Sequence, residues 1–170
     1  MANPLYGQNK ADDKIDKLKS GKILGVKTVN ASETLVAADA GKLIMIGTAA
    51  IEVTLPTAAE GLFYDFCLKV ESTAGTTIVA SSGDCVFGTV HVESTTADNT
   101  AVHQVVPHAT AIGTVTSYDN VDFVHDSATL GGHAGDVIRL TAVDDTAWLF
   151  QGTLTTDHAN PGTIAVINAG

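Results

Sequence analysis

From residue 23 onward the chain divides into thirteen short apolar runs separated by turn residues, and no helical period of useful length interrupts them. The runs are ILGVKTV (23–29), ETLVA (33–37), KLIMIG (42–47), IEVTLP (51–56), YDFCLKVE (64–71), TTIVAS (76–81), CVFGTVHVE (85–93), AVHQVVP (101–107), AIGTVTSYD (111–119), VDFVHD (121–126), DVIRLTAV (136–143), AWLFQGTL (147–154) and TIAVIN (163–168). Short β-branched runs at near-regular spacing are the signature of an all-β domain. Several alternate, as Ile51, Val53 and Leu55 do against Glu52 and Thr54, which describes strands with one buried face. KLIMIG is apolar on both faces and suits a central strand or a subunit contact. Parallel strands need long crossovers, usually helical, and none is visible. The expected fold is therefore an antiparallel β-sandwich, jelly-roll-like, with no solenoid-type repeat.

Residues 1–27 read differently. An irregular MANPLYGQN precedes KADDKIDKLKSGK, where Ala11, Ile15 and Leu18 fall at helical spacing and Ser20-Gly21 ends the pattern. So short an amphipathic helix is marginal alone and needs a surface to lie on. The leader holds six of the nine basic residues against three Asp, a charge of +3, which leaves −13 for residues 28–170 of the total −10. The expected organisation is a basic N-terminal arm (1–27) on an acidic β-body (28–170). A body this acidic repels nucleic acid. The N-terminus has no apolar core of a secretory signal, and no run approaches the roughly 18 apolar residues of a membrane span, so cytoplasmic synthesis is expected and neither nucleic acid nor membrane is an expected partner.

The most concentrated carboxylates lie in GDVIRLTAVDDTAWLFQG (135–152). Val137, Arg139 and Thr141 alternate with Ile138, Leu140 and Ala142, and Asp144-Asp145-Thr146 supplies a turn before AWLFQG returns. The stretch reads as a hairpin with Asp144 and Asp145 at its tip and Asp136 one strand-length away, too far for shared chemistry. SGDCVFG (82–88) echoes AGDVIRL (134–140), each placing Gly-Asp before a strand, where Asp satisfies backbone donors. Asp119, Asp122, His125, Asp126, His133 and Asp136 are all ligand types, but their spacing matches no metal motif and alternation divides those in VDFVHD between two faces. His91, His103 and His125 sit in strands beside Val, and His108, His133 and His158 complete the set; in a trimer, one His per subunit can meet on the threefold axis. Cys67 and Cys85 read as buried thiols rather than a disulfide. No nucleophile-elbow, dinucleotide or P-loop motif occurs. The expectation is a chain with no catalytic residues, no metal site and no cofactor.

VTLPTAAEGLFYDFCLKVESTAGTTIVASSGDCVFG (53–88) and GDVIRLTAVDDTAWLFQG taken together resemble capsid decoration, or cement, proteins of tailed bacteriophages. The likeness covers roughly residues 40–154. It rests on a strand ending in Leu-Pro, a short loop to Gly, an aromatic strand, a Thr-Ile strand, Gly-Asp, and a later Gly-Asp hairpin closing in Trp148 to Gly152. The resemblance implies a non-enzymatic virion protein that forms a homotrimer on the outer capsid surface and clamps the major capsid protein. In that role Lys14, Ile15, Lys17, Leu18, Lys19 and Lys22 would form the coat-binding arm, with lysines facing acidic coat patches.

Three other readings stay open. A trimeric tail-fibre or tailspike domain for host attachment shares the Thr/Gly/Val-rich β-composition, though nine aromatic residues are few for a receptor-binding tip. A cupin-like enzyme would need the 118–136 cluster to converge on a metal. A carbohydrate-binding β-sandwich would need an aromatic platform that a single Trp does not obviously provide.

Overall fold

The computed structural model describes residues 24–72, 75–94, 101–106, 120–123, 132–156 and 167–168. They form twelve strands and one short 3-10 turn, so the protein is all-β. The strands are β1 (Val26–Val29), β2 (Glu33–Thr34), β3 (Leu43–Ile46), β4 (Glu52–Thr54), β5 (Phe63–Leu68), β6 (Thr76–Val79), β7 (Cys85–Ser94), β8 (Ala101–Val106), β9 (Asn120–Phe123), β10 (Val137–Ala142), β11 (Ala147–Thr156) and β12 (Ile167–Asn168). Each falls on one of the apolar runs, while the run at 111–119 lies outside the described residues.

The sheets are mixed, which corrects the antiparallel expectation. A seven-stranded sheet has the order β1-β3-β5-β10-β11-β7-β8, and a five-stranded sheet the order β12-β9-β6-β4-β2. Five of the ten pairings are parallel: β1 with β3, β3 with β5, β2 with β4, β4 with β6, and β7 with β11. From β1 to β6 the chain alternates between the sheets, odd strands in one and even strands in the other. Each of the four parallel crossovers among β1 to β6 is thus long enough, but a strand of the opposite sheet fills it instead of a helix.

This winding is a coil of unequal turns, which agrees with the absence of a fixed repeat in the sequence. Val26 lies opposite Leu43 and Leu43 opposite Asp65, so successive turns advance by 17 and 22 residues. Glu33 opposite Val53 and Val53 opposite Ile78 give 20 and 25. Turns of unequal length leave no fixed period in the sequence.

One cluster of buried apolar side chains draws on both sheets. Its largest members are Trp148, Tyr64, Phe66 and Phe150, none more than 1% exposed. Tyr64 packs against Trp148 with ring centroids 5.8 Å apart and against Phe66 at 6.4 Å. Burying side chains of this size stabilises by roughly 1.5–3 kcal/mol each. The expected alternation holds along β10, where Ile138, Leu140 and Ala142 are buried and Val137 and Arg139 exposed. KLIMIG supplies an interior strand, β3, with Ile44 and Ile46 fully buried. Cys67 and Cys85 form no disulfide.

The Gly-Asp echo is one device used twice. Gly83 and Gly135 adopt φ of +92° and +101°, turning the chain immediately before β7 and β10. The following aspartates are buried and accept hydrogen bonds. Asp84 Oδ2 accepts from Ala58 N at 2.7 Å and from Trp148 Nε1 at 3.4 Å. Asp136 Oδ2 accepts from His133 N (3.0 Å) and Thr155 N (2.9 Å), and its Oδ1 from Thr155 Oγ1 (2.8 Å). Burial pushes the Asp136 carboxyl above its ordinary value, against the opposing hydrogen bonds from Thr155 and His133. The Asp144 turn forms as expected: Asp144 Oδ1 accepts from Thr146 N at 2.7 Å, and Val143 N donates to Ala147 O at 3.0 Å. Gly88, opposite Phe150 in the parallel β7–β11 ladder, has no room for a Cβ, which would overlap the Phe150 carbonyl. Gly152 is equally confined against Ile138. That gives the Gly of the Trp148 to Gly152 pattern a packing reason.

Two stability outcomes follow. Asp136→Ala leaves two backbone donors unpaired and is expected to cost about 1–3 kcal/mol, whereas Asp136→Asn, which keeps one acceptor oxygen, loses less; chemical denaturation of both variants checks the order. Gly88→Ala forces a ladder apart and is expected to cost roughly 1–3 kcal/mol by the same measurement.

Candidate functional site

The residues expected to form a coat-binding arm, Lys14, Ile15, Lys17, Leu18, Lys19 and Lys22, lie outside the described residues. The structure does describe where the leader joins the body. Leu24, two residues before β1, forms one wall of an open cleft of about 410 Å³. Ala37, Ala38 and Ala40 form a second wall, and Glu60, Gly61, Leu62 and Phe63 the third.

Backbone pairing fixes these walls. Leu24 N donates to Gly41 O (2.7 Å), and Gly41 N to Phe63 O (2.8 Å), so the leader's root, the Ala37–Asp39 turn and the start of β5 are tied in sequence. Leu62 is held from both directions, its N–H donating to Ala59 O and its carbonyl accepting from Ala142 N. The cleft exists because small side chains stand where the β2 ladder stops. ETLVA was expected to be a strand throughout, yet the strand ends at Thr34, with a last bond from Leu35 N to Thr54 O, and Ala37–Asp39 turn into a 3-10 helix. The lining is apolar except for Glu60. Val26 and Val36, 63% and 55% exposed, lie within two residues of lining positions and extend the apolar surface in sequence.

An ion-pair cluster braces the site from behind. Asp39, 6% exposed, accepts from Lys27 Nζ at 2.6 Å and from Lys42 Nζ at 2.7 Å, and Lys27 also meets Glu33 at 2.8 Å. Lys27, counted with the basic leader in the sequence, belongs to β1 and is paired within the body. Burial alone would raise the Asp39 carboxyl; the hydrogen bonds from Lys27 and then Lys42 outweigh it and hold the group down to about 2. Tyr64 Oη donates to Val36 O at 3.0 Å, and burial, with the Asp39 charge second, pushes its hydroxyl up to about 12. The tyrosine therefore stays protonated and pins the turn that carries the alanine wall.

On the outer face of the larger sheet Arg139 makes a bidentate pair with Asp65, Nε to Oδ1 at 2.6 Å and Nη2 to Oδ2 at 2.7 Å, across the register they share. Its guanidinium stacks 5.1 Å from the Phe63 ring centroid, so one aromatic lines the cleft and carries this pair.

Of the 118–136 ligand types, Asp119, His125 and Asp126 lie outside the described residues, and Asp122 falls on β9. His133 and Asp136 come together, but through the His133 backbone, and among the described residues no three metal-ligating side chains cluster. Sequence reasoning did not anticipate the cleft or the Asp39 cluster. The only available signal was Ala-Ala-Asp-Ala with lysines on either side.

Because the Asp39 carboxyl is depressed in the fold, its contribution is present above the ordinary carboxylate range and is lost as pH falls from about 4 towards about 2. Asp39→Asn is expected to destabilise by about 1–3 kcal/mol at neutral pH. Denaturation midpoints measured from pH 7 to pH 2 should show wild type and variant converging across that acid window.

Compared with protein-family models, with curated proteins and with solved structures, the chain matches none.

Proposed function

We propose that this chain is a capsid decoration protein, a non-enzymatic homotrimer on the outer surface of a phage head that binds the coat lattice and stabilises it. The observation that carries the reading is the leader's point of attachment: a basic, amphipathic segment enters the body at Leu24, inside the wall of an apolar cleft. Leader and cleft thus adjoin in sequence at Leu24. Their partner is the coat subunit, which offers acidic residues to Lys14, Lys17, Lys19 and Lys22 and an apolar side chain to the cleft. The two sheets stack as a sandwich, a reading supported by the core cluster that both supply. The mixed pairing departs from a jelly roll's antiparallel order. Cementing needs a stiff body whose binding energy adds to shell stability by mass action, and no reaction.

A second reading, a tail-fibre or tailspike domain, draws support from the parallel coil of β1 to β6, an arrangement that solenoidal β-structures extend indefinitely.

Quantitative mass spectrometry of virions of the encoding phage separates the two. Near one copy per coat subunit is expected; a handful per particle would move the chain to the tail, and absence would sink both readings. With purified shells, reversing Lys14, Lys17, Lys19 and Lys22 to Glu should weaken binding by roughly 1 kcal/mol or more at low salt, and added salt should narrow the difference.

A further inference from the structure

The outer face of the larger sheet is apolar on the half nearest the leader. Val26, Leu43, Asp65 and Arg139 stand in register across β1, β3, β5 and β10, and the next rung carries Met45, Cys67 and Val137. The alternate residues of β3 and β5, Ile44, Ile46, Tyr64 and Phe66, are buried in the core. Leu43, Met45 and Cys67, each half-buried, therefore share the outer side with Val26 and Val137. Val26, Val36 and Val137 are the large hydrophobics exposed among the described residues, and two of them, Val26 at 63% and Val137 at 46%, belong to this patch. Asp65 and Arg139 interrupt it only as a mutually bonded pair. At β11 the same rungs continue as Gln151 and Thr153, both exposed, and the apolar character ends. A contiguous apolar patch of this kind marks a contact surface.

The segment that enters the sheet beside this patch is the leader, residues 1–23. Its stripe of Ala11, Ile15 and Leu18 is at helical spacing, and so short a helix is stable only against a surface. The dimensions agree. From β1 to β10 is three strand spacings, about 14 Å at roughly 4.8 Å each. A helix over residues 10–19 is about 15 Å long at roughly 1.5 Å per residue. The tether from Leu18 to Leu24 reaches about 20 Å at roughly 3.3 Å per residue, enough to lay the stripe on the patch. A tether this short gives an effective concentration on the order of millimolar, which favours a chain's own leader over that of a second copy.

We propose that residues 10–19 dock as a helix across β1, β3, β5 and β10 of their own chain, with Ile15 and Leu18 seated on Leu43, Met45, Cys67 and Val137. A basic leader is also drawn to an acidic body. The contact belongs to the free chain and does not rest on the coat reading. Seated so, the helix turns Asp13, Asp16 and Lys17 outward, and its charged side stays open to a partner.

The test uses the full chain and its own thiol, because Cys67 lies in the proposed contact while Cys85 is buried in the core. Ile15→Glu is expected to raise the rate at which Cys67 reacts with Ellman's reagent by roughly tenfold, the shift that losing one apolar anchor brings. Asp13→Ser, on the opposite side of the helix, should leave the rate unchanged. In Ile15→Cys, oxidation with glutathione disulfide should join position 15 to Cys67 within one chain, read by mass spectrometry of unreduced peptides, whereas Asp13→Cys should give no such link. Trp148 fluorescence reports whether each variant keeps its packed core, and the cross-link decides should Ile15→Glu fail to fold. A link between two chains would assign the face to a second copy. That result, equal linking by both cysteine variants, no link, or an unchanged Cys67 rate in folded Ile15→Glu would each overturn the proposal.

Discussion

Parallel strands joined without helices leave the segments passing between the two sheets with backbone polar groups to pair, and in this chain side chains supply partners at several of these passages. A helix would satisfy its own amides; a strand that leaves one sheet for the other cannot. Asp84 holds the amide of Ala58, in the passage from β4 to β5, and the indole of Trp148. Ser72 Oγ accepts from Thr76 N, and Ser32 Oγ from Glu52 N, each where the chain enters a strand of the smaller sheet. Tyr64, central in the core, reaches out to the Val36 carbonyl. The two largest core side chains thus carry their polar atoms to crossing segments, so core packing and crossover geometry are fixed together.

That coupling explains what the sequence disclosed. Burial against a sheet imposes period two whatever the direction of the neighbouring strand, so Ile51, Val53 and Leu55, or Ile138, Leu140 and Ala142, announce strands equally well in parallel and antiparallel pairings. Direction was hidden because it depends on the crossover, and the usual marker of a parallel crossover is a helix. Here β2 and β4 occupy that place, and unequal turns erase the periodicity that would have exposed the coil. Hairpin chemistry was legible at Asp144 because it is local. Asp136 was legible as a turn residue, but its acceptance of the Thr155 amide depends on a strand nineteen positions away.

The candidate site shows the same division. The leader stands out because its charge and helical spacing are properties of consecutive residues. The cleft at its root combines Leu24, the 37–40 wall and the 60–63 wall, three segments joined only by tertiary hydrogen bonds. Asp39 looks like a solvated residue among alanines, and its significance comes from Lys27, brought alongside by the β1–β3 pairing.

The positions of these features bear on how an assembly protein would use them. In the strand order, β1 ends the larger sheet on the leader's side and β8 ends it on the other. Were the chain docked through its leader and cleft, as proposed, the contact would lie at the β1 end of the larger sheet, away from the β8 end. Docking energy and any contact made at the far edge would then act on separate strands. Their effects on shell stability would add, since groups that share no partners and lie well apart contribute independently. Such an arrangement would let one contact change without loosening the other.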